Sequence, residues 1–386
     1  MRVLVTGGAG FIGSHTVDGL LEKGHEVRVL DNLEERVHPG GKPGYLAEEA
    51  EFIRGDVRDK GDLKDAMEGV DVVFHVAAYQ DYMPDYSRFF RTNVVSTALI
   101  YELIEEHEFP VSKVVIASSQ SVYGEGRHKC PEHGVVQAEP RKEEQLKRGE
   151  WGVKCPVCGG DTEFLNHSED YPNPYNQYAL SKYSEELTGL RLGKLLEVPT
   201  VALRYSITQG PRQSPYNQYS GVCRIFTLRL LHDEPPVVYE DGKQLRDYTH
   251  IDDVVDANMV ALERDEANYE AFNVGSGRAY SVLEYARKLA KALGKEVEPE
   301  VPGEYRVGDT RHSVSDISKL KELGWEPTKG LDEILEDYID WIKDRGEVGE
   351  YFEEADKKMR EKGIIKEAES KKLAESKISY KLKGES

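Results

Sequence analysis

A chain of 386 residues, 39% of them hydrophobic, is long enough to bury a large core as one big domain or two unequal ones. Its formal net charge of −20 argues against nucleic acid and anionic membrane as partners. No apolar run reaches transmembrane length, Met1 leads almost at once into the first strand pattern, and four cysteines make no disulfide framework in a chain this long, so a cytoplasmic location is expected.

The first expected strand, 2–6, runs into a turn with Gly7, Gly10 and Gly13 and then a helix expected at 14–23. Glycine serves a sharp turn, a close approach of backbone to phosphate oxygens and tight helix–strand packing, and the helix N-terminus adds free N–H donors. A second strand at 26–30 delivers Asp31, placed to accept the ribose hydroxyls of a dinucleotide. A carboxylate there repels a 2′-phosphate, which favours NAD over NADP.

Further strands are expected at 51–54, 70–76, 113–118, 200–204 and 271–274, with helices at 62–68, 91–106 and 178–196 between them. This alternation predicts an α/β fold, a Rossmann-type doubly wound parallel sheet. Beyond Pro235 short strands and helices at 252–263 and 282–293 predict a smaller mixed α/β substrate-binding lobe.

The strand at 113–118 ends in Ser118-Ser119-Gln120-Ser121, where ligands bind in open α/β sheets. Segment 125–170 then breaks the rhythm, lacking strand or helix periodicity. It carries Cys130, His133, Cys155 and Cys158, a C-x2-H and a C-x2-C at the spacing of a closed, structural zinc site, and a metal would stabilise a segment poor in apolar residues. Tyr178 and Lys182 follow, one helical turn apart on one face, so that the ammonium lowers the phenol's pKa and gives a base able to work near neutrality. Cys223, among apolar neighbours, is expected to be a buried thiol. The tail 346–386 is dense in both charges and is expected to be a solvated helix or disordered, with no catalytic role.

The glycine turn together with Ser119, Tyr178 and Lys182 resembles the extended short-chain dehydrogenase/reductase family, and within it the NAD-dependent nucleotide-sugar epimerases and dehydratases, over about residues 1–345 apart from the insertion. The resemblance implies Tyr178 as base, Lys182 as its activator and a ribose ligand, and Ser119 as the hydroxyl partner. It implies cofactor contacts at Phe11, Ile12, Asn32, Asp56, Val57, Ala77, Ala78 and Asn93. Arg246 and Arg306 would grip the nucleotide diphosphate, with Asp309 near the nucleotide ribose. Residues 1–124 and 171–205 would form the NAD-binding domain, 125–170 the insertion, and 206–345 mainly the substrate lobe, with returns to the first domain.

The family's 4,6-dehydratases carry two acidic residues after the catalytic hydroxyl, where this chain has Gln120 and Ser121. Dehydration is therefore disfavoured, and the resemblance implies a 4-epimerase that retains tightly bound NAD, acts on a UDP-hexose or a dTDP-deoxysugar and forms a homodimer through the helices at 91–106 and 178–196. Two positions depart from the pattern: Ile207 replaces an asparagine that contacts substrate, and Ser313 stands where some UDP-glucose epimerases have tyrosine, leaving room for a larger sugar substituent. The insertion resembles that of dTDP-L-rhamnose 4-epimerase-like members. The competing readings are a reductase or decarboxylase of the same family, or a non-catalytic NAD-binding regulatory protein.

Overall fold

The computed structural model describes residues 1–216, 221–345 and 352–369. A seven-stranded, wholly parallel sheet runs in the order Ala271–Val274, Thr200–Tyr205, Lys113–Ser119, Val72–His75, Arg2–Thr6, Glu26–Asp31, Glu51–Arg54. Each strand lies on one of the apolar runs read from the sequence.

Side-chain alternation along these strands feeds two cores. Val3, Val5 and Phe74 pack with Val17 and Leu20 of helix Phe11–Glu22 and with Val254 and Ala257 of helix Ile251–Glu263. Leu4, Val73 and Ile116 point to the opposite face, against Leu63, Ile100 and Ile104. Each fully buried aliphatic side chain contributes about 1.5–3 kcal/mol, so both faces must be covered, and helices cover them. The strand order reverses between Arg2–Thr6 and Val72–His75, which opens a crevice at their carboxyl ends.

A third core unites Cys223, Phe226, Tyr248, Tyr285, Leu289, Ile334 and Tyr338. It joins helices Val222–Leu231, Val282–Ala292 and Leu331–Lys343 beside the short paired strands Ile207–Gln209 and Tyr248–His250. Cys223 is fully buried there, and burial pushes its thiol up to about 12.

Four local expectations are corrected. The first helix begins earlier than expected, at Phe11, with Gly10 as its N-cap. The single helix expected at 91–106 is instead Tyr86–Phe89, a π-helical turn Phe90–Val95 and Ser96–His107, an irregularity that periodicity does not reveal. The insertion is not without regular structure: Gly134–Gln137, Arg127–Cys130 and Glu163–Phe164 form an antiparallel sheet, and Glu143–Lys147 is a helix. Strands this short carry too few residues to show alternation.

The tail differs too. Residues 346–351 and 370–386 lie outside the described ones, but Phe352–Glu361 is a helix and Ile365–Glu367 a strand paired antiparallel with Glu304–Arg306. Met359, Ile365 and Ala368 are buried, so this part of the tail is packed rather than solvated.

Candidate active site

The crevice opens into a cavity of about 1010 Å³ that extends from the glycine turn across the strand ends to the third core. Its wall includes Gly7, Gly10, Phe11, Ile12, Gly13, Asp31, Asn32, Asp56, Val57, Ala77 and Ala78 at one end, and Arg246, Arg306 and Asp309 at the other. Ser119 and Tyr178 lie on the same wall.

The turn accepts nothing larger than glycine where the chain crosses itself. Gly7 has φ +68°, and a Cβ there would lie 2.8 Å from Ala77 Cα; one on Gly13 would lie 2.2 Å from the Gly7 carbonyl. Helix Phe11–Glu22 therefore starts hard against the first strand, with the N–H groups of its first turn at the cavity. Asp31 accepts from Ala9 N (3.1 Å) and Leu33 N (2.8 Å), while burial raises its pKa. Asn32 donates to Asp56 at 3.1 Å, and the Arg58 guanidinium holds the Asp56 carboxyl down at about 2. Of the other cations at this end, Arg36 meets Asp81 at 2.5 Å and Arg88 meets Glu34 at 2.8 Å, while the buried Arg36 Nε has no partner.

At the centre, Ser118 and Ser119 divide their tasks. Ser118 Oγ donates to the buried Glu186 carboxylate at 2.7 Å, whereas Ser119 Oγ caps the following turn and is near enough to the Tyr178 phenol to favour its ionised form. Asn176 caps helix Gln177–Leu195 through Ala179 N and so sets where Tyr178 emerges.

Lys182 does not line the cavity. It is 2% exposed, and its Nζ donates to Ala117 O and to Glu185 Oε2, both at 2.7 Å. Burial raises the Tyr178 pKa above its ordinary value, opposed by Lys182 and by the Ser119 hydroxyl and assisted by Glu185. The expected depression is thus the direction of the lysine's influence, but not of the sum. Glu185 is fully buried, its Oε1 has no hydrogen-bond partner, and burial lifts its carboxyl to about 7.

Asn93 is also off the cavity wall. It is fully buried, donating to Tyr79 O (3.1 Å) and Ser181 Oγ (2.9 Å) and accepting from Tyr79 N (2.7 Å), so it braces the loop after the fourth strand instead of facing the cavity.

At the far end the Arg306 guanidinium stacks on Tyr82 (4.3 Å) and Tyr239 (5.3 Å) and lies 3.7 Å from Asp309, yet its buried Nε has no partner. Arg246 differs: its Nη groups donate to the carbonyls of Leu245, Thr310 and Arg311 at 2.9–3.0 Å, so it also holds the loop after Arg306. Ser313 Oγ donates to Gln120 Oε1 at 2.9 Å, and Ile207 shares the cavity wall with both.

In the insertion, Cys130 Sγ lies 3.6 Å from His133 Nδ1 and 3.7 Å from Cys158 Sγ, and Cys155 Sγ lies 3.8 Å from His133 Nδ1. The four ligand atoms all fall within 4.8 Å of one another.

A model of the NAD-dependent epimerase/dehydratase family matches residues 3–145 and 155–275, which include the turn, the serine and the tyrosine–lysine pair. The chain belongs to that family. Within it, the chain is 32% identical to dTDP-L-rhamnose 4-epimerase of Burkholderia thailandensis, over 88% of its own length and 94% of that protein. Among solved members of the family it is 32% identical to Thermotoga maritima UDP-glucose 4-epimerase, a structure containing UDP-glucose, with TM-score 0.73 over 90% of this chain and 100% of that one. It is 31% identical to Thermus thermophilus UDP-glucose 4-epimerase, a complex with NAD, with TM-score 0.71 and the same coverage. The family's sequence pattern does not point to Tyr82, Tyr239 or the tail residues Met359 and Ile364, all of which line the cavity. They reach it through loops, the tail helix and a strand pairing that no spacing in the sequence marks.

Proposed function

We propose that this chain is an NAD-dependent nucleotide-sugar 4-epimerase, acting on a UDP-hexose or dTDP-deoxysugar. The observation that carries the reading is the position of Ser119 and Tyr178 on one wall between the glycine turn and Arg306, with Gln120 and Ser121 where a dehydratase would need acids. The turn fits a pyrophosphate, since its glycines leave backbone N–H groups uncovered. Asp31, a carboxylate at the end of the second strand, suits a ribose without a 2′-phosphate. The unpartnered Arg306 Nε suits a phosphate oxygen.

NAD, when bound, supplies the acceptor and later the donor of the C4 hydrogen and a positively charged nicotinamide. Tyr178 takes the C4 hydroxyl proton and returns one after inversion, and Ser119 holds the sugar oxygen in line with the phenol. Lys182 stabilises the phenolate electrostatically, and the third N–H of its ammonium is left for Tyr178 or a ribose hydroxyl. Inversion needs the diphosphate held firmly and the hexose loosely. Arg306 serves the first need, and the small side chains of Ser121 and Ser313 beside Gln120 serve the second.

The cysteine–histidine cluster in this reading holds a structural zinc. Tetrahedral ligands on bonds of ~2.3 Å stand ~3.8 Å apart, close to the spacings here. Cys155 is biased to the thiolate, held at about 7 chiefly by the Cys158 N–H. A homodimer through the helices around 91–106 and 178–196 is supported by exposed Val95, Leu180 and Leu187. Among the described residues no helix is long and apolar enough to cross a membrane.

Assay of NAD in the purified protein, followed by NMR of UDP- and dTDP-sugars incubated with it, tests the activity. Retained NAD and conversion of one C4 epimer into the other are expected. Dependence on added NADPH, or release of carbon dioxide, would instead support a reductase or a decarboxylase.

A further inference from the structure

The insertion does more than hold itself together. Its Arg141 is almost fully buried and reaches in four directions: Nε to Glu125 (2.9 Å), Nη1 to Trp151 O (3.2 Å) and Glu240 (2.9 Å), and Nη2 to Asp309 O (2.8 Å). Two of those acceptors are backbone carbonyls, one inside the insertion and one on the loop that carries Arg306 and Asp309. The second oxygen of Glu125 accepts from Arg311 N at 2.8 Å, and Arg311 in turn meets Glu240 and Asp241, each at 2.7 Å. The loop between Arg306 and Ser313 is thus clamped from the insertion side by Arg141 and Glu125 and from the other side by Arg246.

Side-chain packing repeats the pattern. Trp151 leans on Tyr305 at 6.1 Å between ring centroids, and Phe164 leans on His312 at 5.2 Å. An isolated surface zinc knuckle would need none of these contacts.

We infer that Arg141 is a positioning residue for substrate binding, through which the cysteine-bearing insertion sets the place of the Arg306–Asp309 loop on the nucleotide diphosphate. This rests on the reading of that loop as the diphosphate grip. The guanidinium fork is what the task requires. It donates to Glu125, Trp151 O and Asp309 O and lies 2.9 Å from Glu240, while its charge offsets two buried carboxylates.

Arg141→Lys keeps the charge between Glu125 and Glu240 but cannot reach all four acceptors from one ammonium. Titration calorimetry with UDP and with dTDP, neither of which reacts, reads the grip directly, and steady-state kinetics read the sugar nucleotide's KM and kcat. For whichever nucleotide wild type binds, the variant is expected to show Kd and KM raised about tenfold, the loss of one charge-assisted hydrogen bond. Its NAD content and kcat should stay at the wild-type level, whereas a general loss of structure would lower NAD retention as well. Glu125→Gln, which can accept on one side only, is expected to shift Kd and KM the same way by about threefold and decides the matter if the lysine variant does not fold. Wild-type nucleotide affinity in both folded variants would overturn the inference. A wild-type protein that binds neither UDP nor dTDP would remove the reading of the loop itself, and the inference with it.

Discussion

The buried Lys182–Glu185 pair governs how basic Tyr178 can be. Glu185 Oε2 sits 2.7 Å from Lys182 Nζ, and the groups that bear on the pair are Tyr178 and Glu186 on the same helix and the neutral His75 on the fourth strand, whose imidazole burial lowers to about 3. Glu185 titrates near 7, so raising the pH through neutrality creates a carboxylate that cancels part of the lysine's pull on the phenol. Removing that carboxylate should therefore lower the Tyr178 pKa. In Glu185→Gln the acid limb of the kcat profile is expected to move down by about half to one pH unit, each unit being 1.36 kcal/mol of differential interaction. The plateau rate should also fall, because Lys182 is held less firmly. An unchanged pH profile in a folded, NAD-bearing variant would show that Glu185 serves packing alone. Tyr178 and Lys182 could be read from their spacing, but Glu185 could not. A glutamate on a polar helix reads as a solvated residue, and only the sheet packed over it reveals a buried one.

At the scale of elements, six of the seven strands were legible because each carries consecutive apolar residues buried on both faces, and the half-buried edge strand Glu51–Arg54 was legible from Phe52 and Ile53 between charged ends. The glycine turn was legible because backbone crowding at Gly7 and Gly13 leaves one residue type possible. Short elements held by pairing rather than by a run of buried apolar residues were not legible. The insertion's strands are short and pair with one another, one of them ending at Cys130 of the cysteine–histidine cluster, while the tail strand Ile365–Glu367 pairs with the edge offered by Glu304–Arg306. The orientation of Asn93 is hidden for a related reason. A motif position gives a residue type but not the direction of its amide, which here points into the loop at Tyr79. For the insertion, elemental analysis should find about one zinc per chain, falling to near zero in Cys155→Ser with a loss of several degrees in thermal midpoint. Full stability after exhaustive chelation would argue that hydrogen bonds and packing hold the segment without metal.

The whole molecule joins the crevice at the sheet's switch point to the third core, with the insertion and the tail strand packed against the segment that carries Arg306. Leu180 and Leu187 stand one above the other on helix Gln177–Leu195, 41% and 39% exposed, so the outer face of the helix that carries Tyr178 is unusually apolar. If two copies meet there, Leu187→Asp should shift the sedimentation coefficient from dimer to monomer. A wild-type protein that sediments as a monomer at micromolar concentration would refute that assembly. A 4-epimerase that retains its NAD removes the hydrogen on C4 and returns the same one. Incubation of the purified protein, without added cofactor, with a UDP- or dTDP-sugar deuterated at C4 tests it most directly by NMR. C4 epimers in equilibrium that both keep the deuterium are expected. Epimerised product with solvent hydrogen at C4, or no change at C4 in any sugar, would contradict the 4-epimerase reading.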